Sequence, residues 1–242
     1  GARYSGLLLW AVLLLAATFR LPALFHDLPY SFYGDELHLV KRAMALGTGD
    51  LNPHWFTKPA GLLYLLLAVY GSFYLVLAAL GEVTSPEAFG AWFLADQGPF
   101  LLLGRLLVFA FGLAAIIFCW LFVRHLFASA VAASAVAAVV AVLPAFVHGS
   151  VVVKEDVPAA AFALAGLWLL VRATDGSNRP YWDLVAAGAL FGLSTATKFY
   201  GILFLPAALV WLGWDQEAAP ANSSGRWQRL ISFASAYALT TF

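Results

Sequence analysis

Charged residues are scarce in this chain of 242 residues: 11% are Asp, Glu, Lys or Arg, whereas 63% are hydrophobic. A soluble domain carries about a quarter of its residues as charges, so the composition excludes that class. The 13 basic and 13 acidic residues cancel, which removes the polybasic attraction expected of a nucleic-acid partner. The single cysteine, Cys119, excludes an intrachain disulfide. The composition predicts an all-α integral membrane protein, because a spanning backbone must satisfy its own hydrogen bonds.

Long apolar runs recur along the chain and predict a multi-span helical bundle. The runs are residues 4–24, 59–81, 101–123, 129–148, 157–171 and 182–214. The last run is long enough for two helices and is interrupted by Lys198. A further apolar stretch, 230–242, reaches about 20 Å as a helix, short of the roughly 30 Å hydrocarbon core. We therefore expect residues 1–242 to be the N-terminal part of a longer transmembrane domain whose C-terminal remainder is absent.

The first run is interpreted as an uncleaved anchor, because the apolar region of a cleavable signal peptide is usually shorter, roughly 7–15 residues. Arg3 marks its cytoplasmic end by the excess of basic residues in inside loops. Arg20, at the far end, is expected to snorkel to the headgroups. The outer loop 25–58 follows, and within it the pattern predicts an interfacial helix from Asp35 to Leu46.

The arginines favour one topology without excluding another. If the loops holding Arg124, Arg172 and Arg226 lie inside with Arg3, the loops at 25–58 and about 149–157 both lie outside. The run 59–81 then enters and leaves the outer leaflet or lies along it. If 59–81 crosses the membrane, the two loops lie on opposite faces. The lysines do not support the first arrangement, since all four would be outside, and the sequence leaves both open.

Three charged clusters lie beside the apolar runs, where an unpaired ionisable group costs several kcal/mol to bury. They are Asp35 with Glu36, Lys154 with Glu155 and Asp156, and Lys198. Under the first topology all three converge on the outer face. Each also fits a purely structural role: the acids are suited to helix starts, and Lys198 to a helix break at the membrane surface.

Other candidates have two readings each. Lys58 precedes an apolar run and is either a snorkelling lysine or a phosphate ligand, and Arg105 has the same alternatives. Asp35 is either a helix cap or a general base. His26, His54 and His148 have no His or Glu four residues away and are weak metal-ligand candidates.

A set of short motifs, in this order and spacing, resembles a known family. The motifs are GDE at 34–36, KP at 58–59, GRLL from 104, FGL from 111, RHLF from 124, KEDVP at 154–158 and GLSTATKFYG at 192–201. Over residues 1–215 the chain is similar to polyprenyl-phosphate-dependent glycosyltransferases of the protein O-mannosyltransferase and aminoarabinose transferase type, glycosyltransferase family 39 and its neighbours. These enzymes have the C-type glycosyltransferase fold, and the resemblance implies a membrane-surface helix after KP.

The resemblance implies a role for each cluster. A sugar would pass from dolichyl- or undecaprenyl-phosphate to an acceptor hydroxyl by direct inverting displacement. Asp35 would be the general base, and Glu36 would position the base or the acceptor. The expected substrate-binding residues are Lys58, Arg105 and Lys198 on the lipid phosphate, with Asp156, Lys154 and His38 beside them. Relatives of this fold differ in metal dependence, so the resemblance assigns no metal.

The implied partners are the lipid-linked donor, a protein or lipid-linked acceptor, and membrane lipids. The implied location is the plasma membrane of a prokaryote, with the site facing outside, and the chain alone is expected to be inactive. A transporter is the main alternative, since it also places charges at membrane depth, but it predicts a duplicated half that the sequence does not show. A structural membrane subunit is the third hypothesis, and it predicts that the charged residues tolerate neutral substitution.

Overall fold

The computed structural model describes residues 2–31, 33–174, 179–214 and 223–241. Every regular element in these ranges is helical. The α helices are α1 (Ala2–Arg20), α2 (Gly34–Leu46), α3 (Gly61–Ala79), α4 (Pro86–Ala95), α5 (Gly98–Phe127), α6 (Ala130–Val142), α7 (Pro144–Gly149), α8 (Asp156–Thr174), α9 (Pro180–Thr197), α10 (Phe204–Trp214) and α11 (Ser223–Thr241). Short 3-10 helices span Pro22–Phe25 and Phe199–Leu203. The predicted all-helical class is confirmed.

Local sequence signals account for several helix ends. Ser85 and Ser129 cap α4 and α6 by accepting the backbone N–H of the third residue after each. Pro144 begins α7 after an extended Leu143, and the predicted run 129–148 is therefore split into two helices. The predicted helix Asp35–Leu46 is observed as α2. The segment 82–98 follows the run 59–81 and carries Glu82, Glu87 and Asp96, which predict a polar loop; it instead contains α4.

The long helices form a row in which neighbours share apolar faces. Helix α1 packs on α6, α6 on α5, α5 on α8, α8 on α9, and α9 on α11. Close approach of the second loop and of α3 to this row depends on a small residue. A Cβ at Gly104 of α5 would lie 2.7 Å from Val153 Cγ2 and 3.0 Å from the Tyr70 hydroxyl, so only glycine fits. The row therefore brings the ends of α5, α8 and α9 close to the first loop.

Four helices in the described ranges are long and apolar enough to cross a membrane: α1, α3, α5 and α8. The contacts of α3 and α4 bring the chain back to the end of the row where it started. Helix α3 begins at Gly61, against the backbone of Ala196 at the end of α9, and the chain returns after α4 to Gly98, which lies against Pro29 of the first loop. Arg105, about two turns further along α5, bonds to the carbonyl oxygens of the first loop. The segment from α3 to α4 therefore begins and ends at the same end of the row.

This geometry agrees with the topology in which the loops 25–58 and 149–157 share one face, and the second loop is observed between α7 and α8. The expectation that Arg20 snorkels is wrong. Its side chain is fully buried, and its guanidinium donates hydrogen bonds to the carbonyl oxygens of Ala16 (2.9 Å) and Ala141 (2.8 Å). Arg20 therefore ties α1 to the end of α6 instead of reaching the headgroups.

Candidate active site

Six charged side chains meet at one end of the helical row. One lies at the start of α2, and one lies in the segment before α3. Two lie in the connection between α7 and α8, one is the first residue of α8, and one follows the end of α9. They are Asp35, Lys58, Lys154, Glu155, Asp156 and Lys198. Three carboxylates face three ammonium groups, so the cluster carries no net charge.

One half of the cluster is a lysine held between two acids. Lys58 Nζ lies 3.5 Å from Asp35 Oδ2 and 3.3 Å from Glu155 Oε1. The Asp35 side chain is half exposed, at 53%, whereas Glu155 is buried. Tyr33, not Asp35, occupies the N-cap position of α2, so the helix-cap reading of Asp35 does not hold. Asp35 remains a first-turn acid, which the helix dipole favours.

The other half is an acid held between two lysines. Lys198 bonds to Asp156 Oδ1, and Lys154 Nζ lies 3.7 Å from Asp156 Oδ2. Lys154 also donates a hydrogen bond to the Tyr33 hydroxyl at 2.7 Å. That bond raises the pKa of Lys154 above its ordinary value, against the opposing effect of burial, and the carboxylates of Asp156 and Asp35 act in the same direction.

The break in α9 delivers Lys198 to this cluster. The helix ends at Thr197, Lys198 adopts an extended conformation, and its N–H closes the last turn on the Ser194 carbonyl. The following 3-10 helix turns the chain away, so the ammonium lies at the helix end and not within a continuous span. The expected interruption of the run 182–214 is therefore observed at this residue.

Glu36 and Arg105 form a separate, buried pair below the cluster. Arg105 Nε and Nη2 each donate to Glu36 at 2.8 Å, and Nη1 donates to the carbonyl oxygens of Leu24 (3.0 Å) and His26 (2.6 Å). Glu36 also accepts the Val153 N–H at 3.0 Å and the Ser31 hydroxyl at 2.7 Å. The pair joins α2, α5 and both loops.

This arrangement bears on two expected roles. Glu36 is fully buried and accepts four hydrogen bonds, so it holds α2 in place and does not face the open side of the site. Arg105, expected on the lipid phosphate, commits four of its five N–H donors to Glu36 and two carbonyl oxygens. Both residues therefore join α2, α5 and the two loops next to Asp35, and their roles in the reaction stay predictions.

His38 lies at the edge of the cluster and not within it. Its Nε2 accepts a hydrogen bond from Arg42 Nε at 2.8 Å, and its ring packs edge-on against Trp55 with centroids 5.0 Å apart. The Trp55 ring also lies 5.7 Å from Lys58 Nζ. His38 therefore contacts the expected phosphate ligand only through this tryptophan.

An apolar cavity of about 850 Å³ opens beside Lys58. Trp55 and Tyr64 line it at the Lys58 end, and Phe111 of α5 and Phe162 of α8 line its inner wall. The same two phenylalanines line a smaller apolar cavity of about 240 Å³ further along α5 and α8. Their rings pack edge to face with centroids 5.1 Å apart, between the two spaces. The arrangement suits a long apolar tail with an anionic head.

A second cavity of about 590 Å³ lies on the other side of Tyr33. It is more polar, with Arg105, His148, His26 and Asp27 in its lining. His26 Nε2 lies 3.1 Å from Asp27 Oδ1, and the ring of His148 packs against Tyr33. Within the described ranges no group of three or more His, Cys, Asp or Glu side chains is arranged to hold a metal ion.

Sequence reasoning missed Glu155 and Tyr33 as members of the site. Glu155 was included in the charged cluster of the KEDVP motif but was given no role in the expected site, and among the described residues its carboxylate accepts no backbone N–H. Tyr33 precedes GDE and was not singled out. An aromatic hydroxyl next to a charged motif was the available signal for Tyr33, and a third charge in KEDVP was the signal for Glu155.

The charged cluster at one end of an all-helical membrane bundle, beside an apolar cavity, matches the architecture of C-type glycosyltransferases. The solved structure of the S. cerevisiae protein O-mannosyltransferase Pmt1-Pmt2 complex bound to the sugar donor is similar, with a TM-score of 0.69 and 18% identity. The match covers 98% of this chain and 33% of that one, so the chain spans about a third of its length. No sequence among the curated proteins matches.

The family is shown by its sequence model. The model of the dolichyl-phosphate-mannose-protein mannosyltransferases matches residues 101–240, and the chain belongs to this glycosyltransferase family. The resemblance stated from the motifs is therefore confirmed. The matched range contains Arg105, the KEDVP motif and Lys198, whereas Asp35 and Lys58 lie before it.

Proposed function

We propose that the protein transfers a sugar, mannose in view of its family, from a polyprenyl phosphate to an acceptor hydroxyl. One observation carries this proposal: the Lys58 ammonium stands at the mouth of the 850 Å³ apolar cavity and 3.5 Å from the half-exposed carboxylate of Asp35. Within this region the cavity suits a lipid tail, the Lys58 ammonium suits its phosphate, and the Asp35 carboxylate suits an acceptor hydroxyl.

The donor is proposed to bind with its tail in the apolar cavity. Prenyl units are purely hydrocarbon, so burying them against Phe111 and Phe162 gains the hydrophobic contribution of their surface. The phosphate at the head of the tail would then meet Lys58 and, beyond it, Lys198. Both lysines are paired with carboxylates here. The phosphodiester of the donor carries one negative charge, and the polyprenyl phosphate that leaves carries up to two, so the ammonium groups stabilise the charge that develops as the bond breaks.

The reaction needs one base and one cationic site. Asp35 would accept the proton of the acceptor hydroxyl while the acceptor oxygen attacks the anomeric carbon of the sugar. The bond between that carbon and the phosphate oxygen breaks, and the polyprenyl phosphate leaves with the electron pair, stabilised by the lysines. A phosphate is a good leaving group, so no covalent enzyme intermediate is required. A single displacement inverts the anomeric configuration.

The site is proposed to face the extracytoplasmic side. The opposite ends of the helices carry Arg124 at the end of α5, Arg172 at the end of α8 and Arg179 before α9. By the positive-inside rule those ends lie in the cytoplasm. The acceptor is proposed to be a protein or a lipid-linked molecule, and the location in the plasma membrane of a prokaryote follows from the resemblance alone.

The test uses the full-length protein in membranes with a labelled polyprenyl-phosphate sugar. Asp35→Asn is expected to lower the transfer rate by about 10²–10⁴-fold while donor binding is kept, because a general base contributes that much. Asp50→Asn is the matched control, since Asp50 is an exposed acid of the same loop that bonds to His54 and not to the cluster. Equal rates for Asp35→Asn and the wild type would contradict the proposal.

A further inference from the structure

Glu155 is the most deeply buried charge of the cluster, and the proposed reaction does not use it. Its side chain is 1% exposed, and among the described residues neither of its carboxylate oxygens accepts a hydrogen bond. Its charged contact in that part of the chain is Lys58 Nζ at 3.3 Å. A buried carboxylate without hydrogen-bond donors is costly, so this position calls for a functional reason.

Lys58 is held in an unusual way as a consequence. Its ammonium lies between Asp35 and Glu155 at distances of 3.5 and 3.3 Å, and it hydrogen-bonds to neither within the described structure. An ammonium group has three N–H donors. The two carboxylates therefore fix its place by charge from both sides, and its donors stay available to a phosphate.

Both carboxylates are anchored by the same buried pair. Asp35 adjoins Glu36 at the start of α2, and Glu155 follows Val153, whose N–H donates to Glu36 at 3.0 Å. The Glu155 carbonyl accepts the Ala159 N–H at 3.1 Å, so Glu155 lies directly before α8 and its carbonyl joins the first turn of that helix. The gap that receives the Lys58 ammonium is thus set by two rigid helix starts.

We propose that Glu155 is a positioning residue for the donor phosphate, acting through Lys58; this rests on the proposed function. Its negative charge keeps the ammonium at the cavity mouth and prevents it from pairing with Asp35 alone. Without Glu155, Lys58 moves toward Asp35, so the phosphate ligand and the base neutralise each other. Among the described residues, the charged groups in contact with Lys58 are Asp35 and Glu155.

The experiment is a double-mutant cycle on transfer by the full-length protein, with a polyprenyl-phosphate sugar as the varied substrate. Glu155→Gln is expected to raise the donor KM about tenfold, with a smaller change in kcat, as for losing one close charge pair. The inhibition constant of sugar-free polyprenyl phosphate should rise by the same factor. Glu155→Asp should restore part of the loss. Glu87→Gln, in the exposed α4, is the control and should match the wild type.

The double-mutant cycle distinguishes an effect of Glu155 that acts through Lys58 from a general effect of Glu155 on the structure. Lys58→Met is expected to raise the donor KM, and adding Glu155→Gln to it should cause no further rise. Additive effects, or an unchanged KM in Glu155→Gln, would overturn the proposal. If Glu155→Gln fails to fold, the double variant must fold and show the KM of Lys58→Met; its failure to fold would also overturn the proposal. A wild type without any transfer would instead refute the proposed function, and the role of Glu155 with it.

Discussion

Replacing Arg105 with methionine tests whether the buried pair with Glu36 holds the site together. The change removes two hydrogen bonds to Glu36 and two to the carbonyl oxygens of Leu24 and His26. Breaking a buried ion pair by removing one partner costs about 3–5 kcal/mol, because the remaining charge is left uncompensated. In a chain of this size each kcal/mol shifts Tm by about 2–4 °C, so we expect a fall of roughly 6–20 °C.

The assay is thermal unfolding of the purified protein in lipid nanodiscs. Arg124→Met is the matched control, because Arg124 is exposed at the other end of the same helix, with its guanidinium over the Trp120 ring. Its Tm should stay within about 2 °C of the wild type, as for most surface changes. The double variant Glu36→Gln with Arg105→Met should recover much of the loss, since no buried charge remains and the amide oxygen still accepts the Val153 N–H.

Two results would refute this reasoning. If the Tm of Arg105→Met equals that of the Arg124→Met control, the buried pair contributes little to stability. If the double variant melts no higher than Arg105→Met, the loss comes from the missing hydrogen bonds to the carbonyl oxygens and not from the stranded charge of Glu36. Each outcome assigns the stabilisation to a different part of the same contact.

Two further predictions concern packing and titration. Gly104→Ala should lower Tm, because the added Cβ would meet Val153 and overpacking costs about 1–3 kcal/mol. The control Gly71→Ala, where a Cβ has nothing within 4 Å, should keep or raise Tm. A lower Tm for Gly71→Ala alone would contradict this explanation. Tyr33→Phe should lower the pKa of Lys154 toward its ordinary value, as read from the pH dependence of its reaction with an amine-selective reagent. The hydrogen bond from Lys154 to Tyr33 then stabilises the fold at pH values below the ordinary lysine pKa, and this stabilisation is lost as the pH rises through the raised pKa of Lys154. An unchanged titration of Lys154 in Tyr33→Phe would contradict the hydrogen bond as the cause of the raised pKa.

The fold could be predicted wherever local signals were strong. The helix from Asp35 to Leu46 was found almost to the residue, because Gly34 and Gly47 bound a clear amphipathic segment. The break at Lys198 was found because a charge interrupts an apolar run. Helix α4 was missed although its start signal was present, since Ser85 is followed directly by Pro86.

The site could be predicted only in part, because its contacts join distant segments. GDE and KEDVP were identified as charged motifs, but the partner of each charge depends on how the helices pack. Arg105 lies 69 residues from Glu36, and nothing in the local pattern distinguishes it from a phosphate ligand. Arg20 likewise matched a snorkelling residue until its contact with Ala141 was seen. Pairing of buried charges is a tertiary property.

The path of α3 has a consequence for where in the membrane the reaction would take place. Its inner face is buried through Leu63 and Leu66, while Leu75 and Val76 project outward and need lipid around them. The segment from α3 to α4 begins against the end of α9 and finishes at the start of α5, both close to the charged cluster. We therefore expect its lipid-facing surface to keep the cluster near one surface of the bilayer. Bilayers of different thickness are then expected to change the tilt of α5 and α8 more than the position of the cluster.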